Sequence, residues 1–206
     1  MKVLLINSSP HEHGCTYTAL SHMAEQLEKN GIETELIWLT KEPVAGCIAC
    51  GACAAHGECF RADIVNRVAQ KCESADGFVF GSPVYYAGAS GQLMSFMDRL
   101  FYSGARFLRN KPACAVVSCR RGGATAAFED INKYFMMSNM PVVTSQYWNQ
   151  VHGSCAEEVL KDEEGLQTMR TLADNMAWLL ACIEAGKKTG IQAPEREKVV
   201  RTNFIR

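Results

Sequence analysis

Four cysteines within thirteen residues, Cys47, Cys50, Cys53 and Cys59, are the part of this 206-residue chain best suited by type and spacing to chemistry. Two-residue gaps let a loop wrap around one point so that its sulfurs converge, and Gly46, Gly51 and Gly57 permit the tight turns this needs. Four thiolates suit a [4Fe-4S] cluster or a Zn²⁺ ion. Three closely spaced thiols in a row favour the cluster, because structural zinc sites usually use two separated CxxC pairs. Free thiols, or a loop that has lost its metal, stay open as a third reading. The other six cysteines (Cys15, Cys72, Cys114, Cys119, Cys155 and Cys182) are scattered and expected to serve mostly as small apolar fillers.

Three further segments carry residues that suit a phosphorylated aromatic ligand. Asn7-Ser8-Ser9-Pro10-His11-Glu12-His13-Gly14-Cys15-Thr16 follows an apolar run and opens onto a helical pattern. Hydroxyls beside the orphan N–H groups of a helix N-terminus make a phosphate site. No Gly-Lys-Ser/Thr and no GxGxxG is present, so a single phosphate fits better than a dinucleotide pyrophosphate; the plain alternative is an ordinary capped turn. Gly81-Ser82-Pro83-Val84-Tyr85-Tyr86-Ala87-Gly88-Ala89-Ser90 offers small residues that admit a flat ring and tyrosines that offer stacking surface. Ser118-Cys119-Arg120-Arg121-Gly122-Gly123 offers N–H donors and positive charge to a ring that becomes anionic on reduction, or is a solvated basic turn.

The elements that must position these residues alternate strand and helix. Strands are expected at 2–6, 32–39, 78–80, 113–118 and 141–148, and helices at 16–30, 61–74, 89–102, 124–138 and 163–186. The acidic run Asp162-Glu163-Glu164 starts the last helix, where negative charge is favourable. A parallel crossover needs a helix-length connection, so this order implies an α/β fold: a doubly wound, five-stranded parallel sheet in a three-layer sandwich. Ligands of such sheets bind beyond the carboxyl ends of the strands, which is where the three segments fall. Residues 1–188 form the domain, with a cysteine-rich insertion at 43–60, and 189–206 is an extended tail. The tail's closing Phe204-Ile205 is expected to lie across a neighbouring subunit.

A formal charge of −1 gives no reason to expect nucleic acid or an anionic membrane surface. No apolar run approaches the roughly 18 residues of a membrane span. The short run Val3-Leu4-Leu5-Ile6 lacks the length and cleavage site of a signal peptide, so a cytoplasmic location is expected. Weaker features have plain readings. His152 is expected at the surface or in a hydrogen bond rather than on a substrate. Trp148 either flanks the ligand or packs in the core, and Met136, Met137 and Met140 belong to the core or an interface.

The stretch Asn7-Ser8-Ser9-Pro10…Gly14-Cys15-Thr16 resembles the phosphate loop of the flavodoxin-like NAD(P)H-dependent FMN reductases. Gly81-Ser82-Pro83-Val84-Tyr85 is similar to that family's flavin-ring loop, and Phe96-Met97-Asp98-Arg99 to its following helix. The cysteine motif closely resembles that of the family's iron-sulfur flavoproteins. The resemblance spans about residues 1–150 and implies one FMN per subunit, a homodimer or homotetramer, and a flavin-dependent oxidoreductase. The implied flavin contacts are Ser9, Pro10, Gly14, Cys15, Thr16, Pro83, Val84, Tyr85, Ser118, Arg120, Gly122 and Gly123. All four clustered cysteines would ligate one [4Fe-4S] cluster. Where the family commonly has Arg and Asn, this chain has His11 and Cys15, so backbone N–H groups, Ser9 and Thr16 must carry more of the phosphate binding.

The two centres complement each other by electron count. A nicotinamide delivers a hydride, a cluster passes single electrons, and a flavin handles both. The sequence therefore reads as an FMN-dependent electron-transfer protein with a [4Fe-4S] cluster, taking electrons from NAD(P)H or ferredoxin to an unidentified acceptor. A cluster-free reductase of quinones, nitro compounds or flavin is the alternative. A zinc-stapled binding module without enzymatic activity is the alternative from another class. No catalytic side chain is assigned, since hydride transfer requires none.

Overall fold

The computed structural model describes residues 1–200, 202 and 204. Period-two alternation in the central strands sorts the apolar side chains onto two faces. Strand β1 (Lys2–Asn7) sends Leu4 and Ile6 to one face and Val3 and Leu5 to the other. Strands β3 (Gly77–Tyr85) and β5 (Ala113–Cys119) divide likewise. Each face needs a cover, and the helices supply it. Helices α1 (Cys15–Lys29) and α8 (Glu163–Lys188) close one face. The other is closed by α3 (Ile64–Ser74), α4 (Gly91–Ser103) and α6 (Ala124–Met137). The remaining elements are short: β2 (Glu33–Trp38), α2 (Ala52–His56), β4 (Gly88–Ala89), α5 (Ala105–Leu108), β6 (Gln150–His152) and α7 (Ala156–Val159).

The parallel strands run in the order β2-β1-β3-β5-β6, and β4 folds back antiparallel on β3. This is the flavodoxin-like three-layer sandwich expected from the alternating pattern, with strand order reversing between β1 and β3.

Three expected boundaries move, each for a local reason. The fifth strand lies at Gln150–His152, not 141–148; the earlier stretch contributes only an isolated bridge between Ala113 and Val142. The Ser145 hydroxyl lies within hydrogen-bonding distance of the Tyr147 carbonyl and of Asn149 Oδ1, both 2.7 Å away, closing a turn where a strand was expected. Helix α3 starts at Ile64 rather than 61, because Asp63 accepts the Val65 N–H and caps it. Strand β3 runs on through Ser82 and Pro83 to Tyr85, so the expected loop is a hairpin whose turn residues Tyr86 and Ala87 both have positive φ. Long helix α8 begins as expected, with Asp162 capping Gly165 N–H. Ile191 N–H closes its end on the Gly186 carbonyl; residues 192–200 have no regular structure, and Ile205 lies outside the described residues. None of the helices described is long and apolar enough to cross a membrane.

The outer edge of the sheet is tied by charge. Glu35 on β2 sits 2.7 Å from Lys71 Nζ and 2.9 Å from Lys2 Nζ. Bonds from Lys71 and Lys2 outweigh partial burial and hold the Glu35 carboxyl below its usual range. A carboxyl with a lowered folded value stabilises the fold above about pH 4.5, its ordinary value, and loses that contribution as pH falls through the folded one. Glu35→Gln is expected to lower urea-unfolding stability at pH 7 by less than about 1 kcal/mol, given the screening at a partly exposed site. The gap between the two proteins should narrow at pH 3.5. An equal gap at both pH values would show that the ion pairs are not its source.

Candidate functional site

Hydrogen bonds between the three chemically unusual segments gather them at the carboxyl ends of β1, β3 and β5. Ser8, buried, donates through its N–H and its hydroxyl to the Gly81 carbonyl, at 3.1 and 2.8 Å, and its Oγ lies 3.1 Å from Ser90 Oγ. Thr16 Oγ1 and Ser118 Oγ are 2.9 Å apart, joining the first helix to the end of β5. Ser82 Oγ accepts the Ser90 N–H at 2.9 Å, fixing the hairpin where α4 begins.

The first segment is a tight turn around a helix N-terminus. Ser9 Oγ accepts the His11 N–H, Ser9 N–H donates to Asn7 Oδ1, and Trp38 Nε1 donates to the Ser9 carbonyl at 2.8 Å. Gly14 stands at the N-cap of α1 with no side chain to cap it, which leaves first-turn N–H groups for an anion. A Cβ there would come 2.9 Å from the His11 Cβ. Cys15, half-buried, directs its thiol to the Gly153 carbonyl at 3.5 Å, away from the helix axis, and its pKa is raised mainly by burial.

At the second and third segments, Pro83 and Val84 are half-buried, Tyr85 is exposed and Tyr86 fully so. Gly123 takes φ +87° at the N-cap of α6, and a Cβ on it would meet the Ala87 Cα at 2.8 Å. The positive-φ turn at Tyr86-Ala87 and the positive-φ glycine therefore lock together. Arg120, Arg121 and Gly122 are exposed beside them. These features make an uncapped helix end, a small-residue hairpin and a cationic bend converging on one edge, which is the donor set for a phosphorylated ring. The residues present fit such a group.

The cysteine segment lies along α4. All four clustered cysteines line one cavity of about 240 Å³, with Ile48, Phe60, Arg61, Arg99 and Tyr102. Gly51 and Gly57 have φ of +73° and +77° and bracket α2, in keeping with the turns the sequence requires. Among the described residues, no three Cys, His, Asp or Glu side chains gather closely enough to hold a metal ion, so the sulfurs share a cavity without converging on one point. Two observations test the fit to an anionic thiolate-bound group. The Arg61 Nε is buried with no partner, and the Arg99 side chain, 2% exposed, brings its Nε to 3.3 Å from Cys59 Sγ. Two arginines thus line the cavity with the four thiols, one of them in contact with Cys59, and the donor set fits.

Sequence reading missed the residues that hold this segment in place. Gln92 Nε2 donates to the carbonyls of Leu39 and Thr40, Arg106 Nη1 to that of Gly57, and Arg99 to those of Ala45 and Arg61. Asn66 brackets Cys59, accepting its N–H at 3.1 Å and donating to its carbonyl at 2.7 Å. Burial alone would push the Asp63 carboxyl up, but the Arg99 guanidinium and the Val65 N–H hold it below the usual range. Asp98-Arg99 in the helix was the only visible signal of this, and it carries no spacing that reveals a partner 36 residues away.

The weaker candidates divide. His152 is part-exposed, with its N–H on Asp162 Oδ2 at 2.6 Å and its Nδ1 3.6 Å from the same oxygen. Trp148 is exposed against Tyr147 and is not core. Met136 and Met137 are exposed, while Met140 is buried. Among the scattered cysteines, Cys72, Cys114 and Cys119 are buried fillers, and burial pushes the Cys72 thiol up to about 12; Cys155 and Cys182 are exposed.

Comparison with known proteins agrees with this architecture. Residues 1–153 match the family model of NADPH-dependent FMN reductases. An iron-sulfur flavoprotein of Methanocaldococcus jannaschii is 34% identical over 192 residues, covering 89% of this chain and all of that one. An iron-sulfur flavoprotein of Methanosarcina thermophila is 28% identical, over 91% of this chain and 99% of its own. Among solved structures, a flavodoxin from the domain Archaea superposes with a TM-score of 0.60 at 14% identity, covering 88% of this chain and 99% of that one.

Gly123→Ala must push Ala87 away and adopt a strained φ. It is expected to weaken FMN binding roughly tenfold, equivalent to about 1.4 kcal/mol, as read by flavin-fluorescence titration of the apoprotein. Wild-type affinity would remove the hairpin contact from the site.

Proposed function

The chain belongs to the NADPH-dependent FMN reductase family, in its iron-sulfur flavoprotein branch, and on that premise we propose an electron-transfer flavoprotein with two centres. FMN would occupy the three-segment edge of the sheet, and a [4Fe-4S] cluster the cysteine cavity. As a family member the chain is a flavin-dependent oxidoreductase. The observation that carries the cluster reading is that all four thiols line one cavity together with Arg61 and Arg99, whose Nε meets Cys59 Sγ.

The residues divide the work. The first-turn N–H groups of α1, with Ser9, Pro10, Gly14, Cys15 and Thr16 around them, take the phosphate, with Thr16 held by Ser118. Pro83, Val84 and Tyr85 take the ring from one side, and Gly122, Gly123 and Arg120 place N–H groups and charge near the part that becomes anionic. Bound FMN supplies two-electron exchange with a nicotinamide and one-electron exchange with a cluster. Cys47, Cys50, Cys53 and Cys59 would ligate the cluster, with Cys59 held in place by Asn66 and Arg99.

Helix α4 sets the spacing of the two sites. Its cap, Ser90, belongs to the ring hairpin, and Arg99 belongs to the cysteine cavity. Nine residues at about 1.5 Å each place them about 14 Å apart along one rigid element. The electron donor is NAD(P)H or ferredoxin, and the acceptor a small molecule or a one-electron carrier.

The tail supports an assembly of two or four copies: Val200 and Phe204 are exposed apolar groups with no cover in the single chain. Removing residues 190–206 is expected to lower the mass measured by light scattering, and an unchanged mass would show that the tail takes no part in assembly.

Protein purified without oxygen is expected to be brown and to contain about four irons and four sulfides per chain beside one FMN. Cys53→Ser is expected to lose the iron and keep the FMN, leaving a yellow protein. Wild-type protein with FMN and no metal would favour a cluster-free reductase. Zinc without flavin would favour the binding module.

A further inference from the structure

Arg99 is the most constrained polar side chain of the cysteine region, and no flavin contact or metal ligand accounts for it. It is 2% exposed, and its five N–H groups are directed to named partners. Nη1 and Nη2 take the two carboxylate oxygens of Asp63 at 2.6 and 2.8 Å. The same two nitrogens reach the carbonyls of Ala45 at 3.3 Å and Arg61 at 3.4 Å, one on either side of the cysteine run. With both outer nitrogens fixed by Asp63, the remaining donor, Nε, faces Cys59 Sγ at 3.3 Å.

We propose that Arg99 is the positioning residue of the cysteine cavity, holding Cys59 through the Nε–H···Sγ hydrogen bond and so raising the reduction potential of the cluster bound there. The inference rests on the cluster reading of that cavity and adds to it a residue that is not a ligand. A cluster held by four thiolates gains negative charge when it takes one electron. A hydrogen bond donated to one sulfur favours that more negative state, and hydrogen bonds to cluster sulfurs are an established lever on potential. The Asp63 carboxylate compensates much of the guanidinium charge, so what acts on the sulfur is the aimed N–H dipole. The planar fork is what matters, because a lysine ammonium cannot hold Asp63 with two donors and aim a third at sulfur.

Arg106, on the neighbouring α5, provides a control. Its Nη1 holds the carbonyls of Gly57 and Ser103, so it steadies the loop, but it makes no contact with sulfur. A mechanical role in holding the loop and a direct role at the sulfur are thereby separable.

The test is a redox titration of the full chain, reconstituted without oxygen and reduced by dithionite one electron at a time. Reduced cluster is read by electron paramagnetic resonance, with iron, sulfide and FMN counted on each sample. Arg99→Lys is expected to keep FMN and to titrate at a more negative potential. At a fixed solution potential its reduced-to-oxidised ratio should fall about tenfold, or ~59 mV for one electron. Arg106→Gln is expected to titrate with the wild type. A wild-type potential in Arg99→Lys, or an equal shift in Arg106→Gln, overturns the role of Arg99 while leaving the cluster reading intact. A wild-type chain that retains FMN but takes up no iron overturns the cluster reading and this inference with it. Should Arg99→Lys fail to fold, wild-type protein grown with ¹⁵N-arginine decides the matter. A nitrogen hyperfine coupling to the reduced cluster, retained in Arg61→Lys, supports the contact; no coupling, or its loss in Arg61→Lys, overturns it.

Discussion

A single guanidinium, Arg99, decides where the cysteine segment lies. The segment has little apolar surface to bury, and its residues from Glu42 to Cys50 are mostly exposed. What holds it is polar: Arg99 on Asp63, Ala45, Arg61 and Cys59, with Gln92 and Arg106 gripping the two ends. A buried cation needs such partners, since an unpaired one costs several kcal/mol of desolvation. Removing either side of the pair would leave a charge without compensation, so the helix and the loop constrain each other. This pair is not evidence of great stability; its value is in specifying one arrangement of a loop that hydrophobic packing cannot specify.

That arrangement ties two sites to one helix. The inner face of α4, with Leu93, Phe96, Met97 and Leu100, is buried against the sheet and cannot shift without opening the core. Its side towards the cysteine segment carries Gln92 and Arg99, and Arg106 follows on α5. Its N-cap, Ser90, accepts the Leu93 N–H and lies beside Ser8 of the first segment. Tyr134 donates to Asp98, binding α4 to α6, whose own start is locked against the Ala87 turn through Gly123. A rigid core thus presents two segments at a set separation, which is the usual way a scaffold positions functional loops.

Strain collects at the hairpin proposed to hold the ring. Tyr86 and Ala87 hold positive φ without being glycine, in a two-residue turn that ordinarily favours Asn-Gly. Such conformations persist only when the surroundings over-determine them. Here the close approach of Gly123 and the Ser82–Ser90 bond do so. The contact is steric, so only a residue without Cβ serves at position 123.

The sequence by itself determined the fold class, because alternating apolar runs with periods of two and 3.6 residues admit few layer arrangements. It also singled out the two candidate sites, since four thiols in thirteen residues and a hydroxyl-rich strand-to-helix turn are local patterns. Local patterns failed where side chains outbid the backbone. Ser145 and Asn149 break the expected fifth strand, Asp63 delays a helix, and β3 runs on into a hairpin. Only the tertiary structure decided that Arg99 meets Cys59 across 40 residues, that Thr16 meets Ser118 across 102, and that Ser8 meets Ser90 across 82. Those pairings arise because parallel strands bring the ends of distant segments to one edge of the sheet. That is a property of strand order and register, and no single stretch of residues contains it.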